Sequence, residues 1–91
     1  MKIIAVCGMG IGTSVLLKMN IEKVLDLLEV KAEVQAADVT SAKRDGHSAD
    51  IIMTTPELAF HLENMPGQIV PIEHVFDLTE IRQKLSSVLG K

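Results

Sequence analysis

Chemistry in this chain concentrates in one stretch, Val6-Cys7-Gly8-Met9-Gly10-Ile11-Gly12-Thr13-Ser14-Val15-Leu16, which sets the only cysteine between an apolar strand and a glycine loop. Three glycines within five positions let backbone N–H groups turn toward an anion at close range, and the helix that follows adds its positive end. Such a loop is built to hold phosphate. A thiol there is expected to ionise easily, because helix N-termini and neighbouring donors lower a free cysteine from about 8.5 to roughly 3.5–7.5, and the thiolate is the nucleophile. A lone cysteine at an arbitrary position is more often a small buried hydrophobe. The glycines and the Thr13 and Ser14 hydroxyls around this one point instead to a reactive site.

Known phosphate loops fit the stretch imperfectly. Gly8, Gly10 and Gly12 give G-x-G-x-G, with Thr13 where the dinucleotide fingerprint has its third glycine, and the chain is too short for the usual two-half dinucleotide sheet. Glu33 or Asp38 is the nearest stand-in for a ribose ligand. No Gly-Lys-Ser/Thr is present, and Lys18 falls well inside the helix. A cysteine phosphatase is the harder competitor. It carries an arginine six residues after the cysteine and an acid for the leaving oxygen, whereas Thr13 stands at that sixth position here. Without a bidentate guanidinium the transferring group is weakly clamped, which suits a reversible carrier better than rapid ester hydrolysis. A small anion- or nucleotide-binding module with an incidental cysteine is the remaining alternative.

The elements that must position this loop alternate strand and helix four times. Lys2 to Val6 is the continuous apolar run of a central parallel strand. Ser14 to Glu29 is predicted helical, capped by Thr13 or Ser14, with Leu17, Ile21, Val24, Leu25 and Leu28 on one face. Ala32 to Ala36 alternates with period two, as an edge strand does. The polar stretch Asp38 to Gly46 is given one short helix. Ala49 to Thr54 is a third strand, and Pro56 opens a helix to Glu63 with Thr55 as cap. Gln68 to Ile72 is a fourth strand, placed at an edge because Pro71 cannot donate to a ladder. Thr79 caps a last helix that ends at Leu89 before Gly90, with Ile81, Leu85, Val88 and Leu89 inward.

This pattern predicts an α/β three-layer sandwich: a four-stranded parallel sheet with helices on both faces and the phosphate loop after the first strand. Ligands of such sheets sit at the carboxyl ends of the strands. Cys7 lies there, as do Thr54, Thr55 and the segment from Glu73 onward.

Composition narrows the partners. The chain has 91 residues, of which 47% are hydrophobic, enough for one domain (1–91) with a single core and no metal or disulfide support. A single cysteine makes no internal bridge, no apolar run spans a bilayer, and the start Met1 to Val6 is too short for a signal segment and fits a buried strand, so a cytoplasmic protein without membrane insertion is expected. A net charge of −3 argues against nucleic acid, and two Phe without Trp or Tyr leave no stacking platform. His47, His61 and His74 are scattered and lack metal-ligand spacing, so no metal and no cofactor are expected. His61 fits a surface helix position, whereas His74 falls near the rim. Met9 and Ile11 are apolar residues of an exposed loop, fit either for local packing or for a partner.

Cys7-Gly8-Met9-Gly10-Ile11-Gly12-Thr13-Ser14, followed by Leu17-Lys18-Met19-Asn20 and Glu22-Lys23-Val24-Leu25, resembles the IIB component of the bacterial phosphoenolpyruvate-dependent sugar phosphotransferase system, most closely its ascorbate type. The likeness spans essentially the whole chain, including the Ala49-Asp50-Ile51-Ile52 strand and the Thr-rich segment after it. Lactose and cellobiose relatives are similar in fold but have fewer glycines and more serine in the loop. The resemblance implies that Cys7 takes a phosphoryl group from a phosphohistidine on a IIA component. It then passes the group to a sugar, L-ascorbate, bound in a membrane IIC component. It also implies that the amides of Gly8, Met9, Gly10, Ile11, Gly12, Thr13 and Ser14, with the Thr13 and Ser14 hydroxyls, cradle the phosphate.

Overall fold

The computed structural model describes residues 1–8 and 11–90, and of Ile11 only the backbone. Four strands, β1 (Lys2–Val6), β2 (Glu33–Ala37), β3 (Ile51–Thr54) and β4 (Gln68–Pro71), form one parallel sheet in the order β2-β1-β3-β4. The α-helices are α1 (Ile11–Leu27), α2 (Val39–Asp45), α3 (Pro56–Ala59) and α4 (Leu78–Leu89), with short 3-10 turns at Gly46–Ser48 and Phe60–Leu62. Strand pairing places Ala37, Val6, Thr54 and Pro71 in one row. The residues that leave the sheet after them therefore share one rim.

Strand parity then divides the core. Ile3, Ala5 and Cys7 of the first strand and its exit join Ile51, Met53, Leu17, Ile21, Ile81 and Leu85 on the face covered by α1 and α4. Ile4 and Val6 point the other way, to Ile52, Ala42 and Leu62 under α2 and the turn after α3. Each side chain such as Leu17 or Ile21, 0% exposed, contributes about 1.5–3 kcal/mol by leaving water, which seats α1 firmly on the sheet. The expected α/β arrangement, with helices on both faces, is the one observed.

Several boundaries differ from the sequence expectation. Helix α1 begins at Ile11 rather than Ser14, so Thr13 and Ser14 lie in its first turns and are not its cap. Its other end comes at Leu27, where Glu29 adopts φ 56° and the N–H of Val30 returns to Leu25 O at 2.9 Å. The cap of α4 is Asp77, not Thr79: Asp77 Oδ1 accepts from Thr79 N at 2.9 Å and Glu80 N at 3.3 Å. Helix α3 tightens into a 3-10 turn at Phe60 instead of running on to Glu63. Asp38 caps the expected short helix α2 through Ser41 N at 2.7 Å.

Strand β4 lies at the edge, as Pro71 requires. The amides of Gln68 and Ile72 donate inward to Asp50 O and Thr54 O, at 2.9 and 2.7 Å, so a residue of opposite parity such as Pro71 turns its missing N–H outward. The turn into β4 needs Gly67, because a Cβ there would meet the Ala49 carbonyl oxygen at 2.6 Å.

Candidate functional site

Cys7 is the first residue beyond β1, on the α1 side of the sheet by parity, and is 1% exposed. It bounds a cavity of about 250 Å³ whose other lining residues are Gly8, Thr13, Thr55, Glu57, Leu58 and Val75. Three chain segments build it: the β1–α1 loop with the start of α1, the β3–α3 junction, and the loop after β4. Val6 pairs with Thr54, so the next residues, Cys7 and Thr55, emerge side by side on the same face. Thr54 points to the other face, is fully buried, and does not line the cavity. The expectation that Thr54 joins the rim is thus corrected by strand parity, and that for Thr55 stands.

Thr55 brings a hydroxyl without a partner. Its Oγ1 is buried and, like that of Thr54, makes no hydrogen bond among the described residues. A buried hydroxyl left unpaired costs free energy, and an acceptor-rich group entering the cavity would recover it. Gly12 is not among the lining residues; it lies within α1 with an ordinary helical backbone, and apart from its chain neighbours and the helix's own backbone a Cβ there would meet no described heavy atom within 4 Å. Neither the fold's packing nor a left-handed φ calls for glycine at that point. A bare backbone near the helix start leaves room for something from outside. Gly8 is different, since a Cβ on it would press on Leu58 at 3.3 Å.

The predicted loop is only partly brought together. Cys7, Gly8 and Thr13 line the cavity, whereas Ser14 is buried, is already engaged by the fold, and does not line it. Met9, Gly10 and the side chain of Ile11 lie outside the described residues.

The thiol itself departs from expectation. Burial pushes the Cys7 thiol above its ordinary range, and the nearby Glu57 carboxylate pushes it further in the same direction. Both effects run opposite to the ready thiolate that the loop sequence suggests. The helix start was expected to dominate, but desolvation and a like charge oppose the anion at this depth.

Glu57 and Leu58 were not singled out from the sequence. They occupy the first turn of α3, which Pro56 starts immediately after the rim residue Thr55, and Thr55 is extended at ψ 155°. A Thr-Thr-Pro-Glu run directly after a central strand was the available signal. His74, expected near the rim, does not line the Cys7 cavity, and its Nδ1 is held by Glu80 Oε1 at 3.2 Å. Ligand atoms of His74, Asp77 and Glu80 lie within 4.8 Å of one another, but Asp77 caps α4 and Glu80 serves backbone amides and Lys84. That cluster is structural. His61 stacks on the exposed Phe60 with ring centroids 4.0 Å apart.

Apolar side chains flank the cavity walls in sequence. Val15, Leu16 and Met19 follow Thr13 on α1, and Phe76 and Leu78 follow Val75, all exposed.

Residues 2–87 match the family described as the lactose/cellobiose-specific IIB subunit of the PTS, the phosphotransferase system. The chain belongs to this family, whose members act as phosphotransferases in sugar transport. Over 90 residues it is 40% identical to the ascorbate-specific PTS system EIIB component of Mycoplasma pneumoniae, covering 98% of this chain and 95% of that one. The lactose-specific IIB domain of the phosphoenolpyruvate:carbohydrate phosphotransferase system from Streptococcus pneumoniae has a similar fold. Its TM-score is 0.66 at 20% identity, over 99% of this chain and 95% of the other. Family membership implies IIA and IIC components as partners. Among the described residues no helix is long and apolar enough to cross a membrane.

Proposed function

We propose that Cys7 is the phosphoryl-accepting nucleophile of this IIB component. It takes the group from a phosphohistidine on a IIA component and passes it to a sugar held by a membrane IIC component. The observation that carries this reading is the juxtaposition of the Cys7 thiol with the unpartnered Thr55 hydroxyl in one cavity at the rim of the two central strands. The amides of Gly8 through Ser14, with the Thr13 hydroxyl and Thr55, would bear the phosphate's charge. Residues 1–91 act as one unit on the cytoplasmic side, and the sugar is L-ascorbate, in keeping with the 40% identical relative.

A protonated thiol is compatible with this chemistry. As sulfur attacks phosphorus, an S–P bond forms, the P–N bond to the donor imidazole breaks, and the thiol proton leaves for the released imidazole nitrogen. On delivery the S–P bond breaks, an O–P bond to the sugar hydroxyl forms, and the hydroxyl proton ends on sulfur. Exposed Leu16, Met19 and Phe76, close in sequence to the lining residues Thr13 and Val75, would offer the two partners apolar contacts.

Incubation with phosphorylated IIA component should add one phosphate to the wild type, read by intact mass, and none to Cys7→Ser. Equal labelling of Cys7→Ser overturns the assignment. Sustained hydrolysis of an aryl phosphate by the wild type, lost in that variant, would establish the cysteine phosphatase instead. Among the described residues no Arg or Lys lines the cavity to sustain such turnover.

A further inference from the structure

We propose that Glu57 sets how weakly this site holds its phosphoryl group: its carboxylate lines the same cavity as Cys7 and opposes the charge of phosphate on that sulfur, so that the group moves on to the acceptor. The inference rests on the reading of Cys7 as a phosphocysteine carrier.

The cavity is electrostatically two-sided. Among the described residues, Thr13, the unpartnered Thr55 hydroxyl and the backbone at Gly8 offer neutral donors, while the one charged lining side chain is the acidic Glu57. A site meant to retain phosphate would place a guanidinium or ammonium there. The backbone fixes where Glu57 stands. Thr55 is extended, Pro56 fixes the first residue of α3, and Glu57 follows within the first turn. Its effect reaches the sulfur, since it adds to burial in pushing the thiol above its ordinary range.

A competing role is local, because acidic residues in a first turn complement a helix N-terminus. Helix α3 has only four residues, Pro56–Ala59, so the dipole available for such complementation is small. An electrostatic role in the cavity and a structural role in the helix give different readouts. The first moves the phosphate equilibrium and leaves the melting curve in place. The second does the reverse.

The S–P bond made on acceptance and broken on delivery involves no net proton on Glu57. Its charge changes only the relative free energies of the free and phosphorylated thiol. Removing one exposed carboxylate from beside a phosphate dianion should raise occupancy at equilibrium by about 3- to 10-fold.

The experiment equilibrates wild type, Glu57→Gln and Glu57→Asp with fixed ratios of phosphorylated to free IIA component and reads phosphocysteine by intact mass. The expected result is an equilibrium constant for phosphorylation about 3- to 10-fold higher in Glu57→Gln, near wild type in Glu57→Asp, with unchanged melting temperatures. An unchanged or lowered constant in Glu57→Gln overturns the role of Glu57 and leaves the carrier reading standing. Absence of phosphocysteine in the wild type overturns both.

Discussion

Asn20 on α1 donates from Nδ2 to the carbonyl oxygen of Val75 at 3.1 Å, so the helix that starts beside Cys7 also holds a second wall of its cavity. The bond spans 55 positions of sequence and is partly shielded from water. Asn20→Ala should cost about 1 kcal/mol of stability, the usual worth of one such bond. It should also release the loop around Val75. Hydrogen exchange at residues 74–77 should quicken more than at Ile21 or Val24 of the same helix, and phosphoryl acceptance should slow. Uniform acceleration over α1 and the loop would mean that the bond stabilises the fold without holding the wall.

Two glycines separate shape from function. Gly12 meets nothing, so Gly12→Ala should leave stability unchanged or raise it by about 0.5 kcal/mol through better helix propensity. With the proposed cradle of amides from Gly8 to Ser14, phosphoryl acceptance should nevertheless fall by about 10- to 100-fold as the new methyl crowds the incoming group. Gly67→Ala should do the opposite. Its Cβ would lie 2.6 Å from Ala49 O, which predicts a loss of about 1–3 kcal/mol with little change in acceptance by the folded fraction. Thermal melts and phosphorylation assays on both variants give the comparison.

Glu80 makes acid stability predictable. Burial pushes its carboxyl up, but the amides of Glu73 at 2.7 Å and His74 at 2.8 Å, with Lys84 at 2.9 Å, outweigh it and hold the pKa at about 2. A folded value below the unfolded one means that the stabilisation is complete above the ordinary glutamate range near 4.5 and is lost as pH falls towards 2. After discounting for solvent screening, on the order of 1–2 kcal/mol should disappear across that window. Denaturant titrations from pH 6 to about pH 2 should show the decline in wild type and a flatter profile in Glu80→Gln. Equal slopes would place the acid sensitivity elsewhere.

Much of this architecture is legible in the residues. The apolar run Lys2–Val6, the 3.6-residue spacing of Leu17, Ile21 and Val24, and the Thr-Pro and Asn-Met-Pro-Gly punctuation announce the alternation of strands and helices, because local burial follows local pattern. The start of α1 is not legible. Gly10 and Gly12 are poor helix formers and Thr13 and Ser14 are good caps, yet the packing of Leu17 and Ile21 on the sheet outweighs roughly 1 kcal/mol of glycine propensity and carries the helix back to Ile11. The cap of α4 is not legible either, since Asp77 and Thr79 are both competent and only the local geometry selects Asp77.

The site was half visible. Cys7, Gly8 and Thr13 announce themselves by type and spacing, and Thr55 by its place after a central strand. Glu57 and Leu58 reach the thiol only because β1 and β3 are neighbours, a contact across about fifty residues that no local pattern records. The upward push on the Cys7 thiol comes first from burial and then from Glu57, neither of which a short-range argument from the helix start records.

The outer margin of β4 is closed to further strands at one spot by two means at once. Pro71 offers no amide to a newcomer, and the ammonium of Lys84 already occupies its carbonyl oxygen. A second copy that tried to extend the sheet would find there neither the donor nor the acceptor that strand addition requires. Strand addition is therefore blocked at that point of the β4 edge, on the opposite side of the sheet from β2.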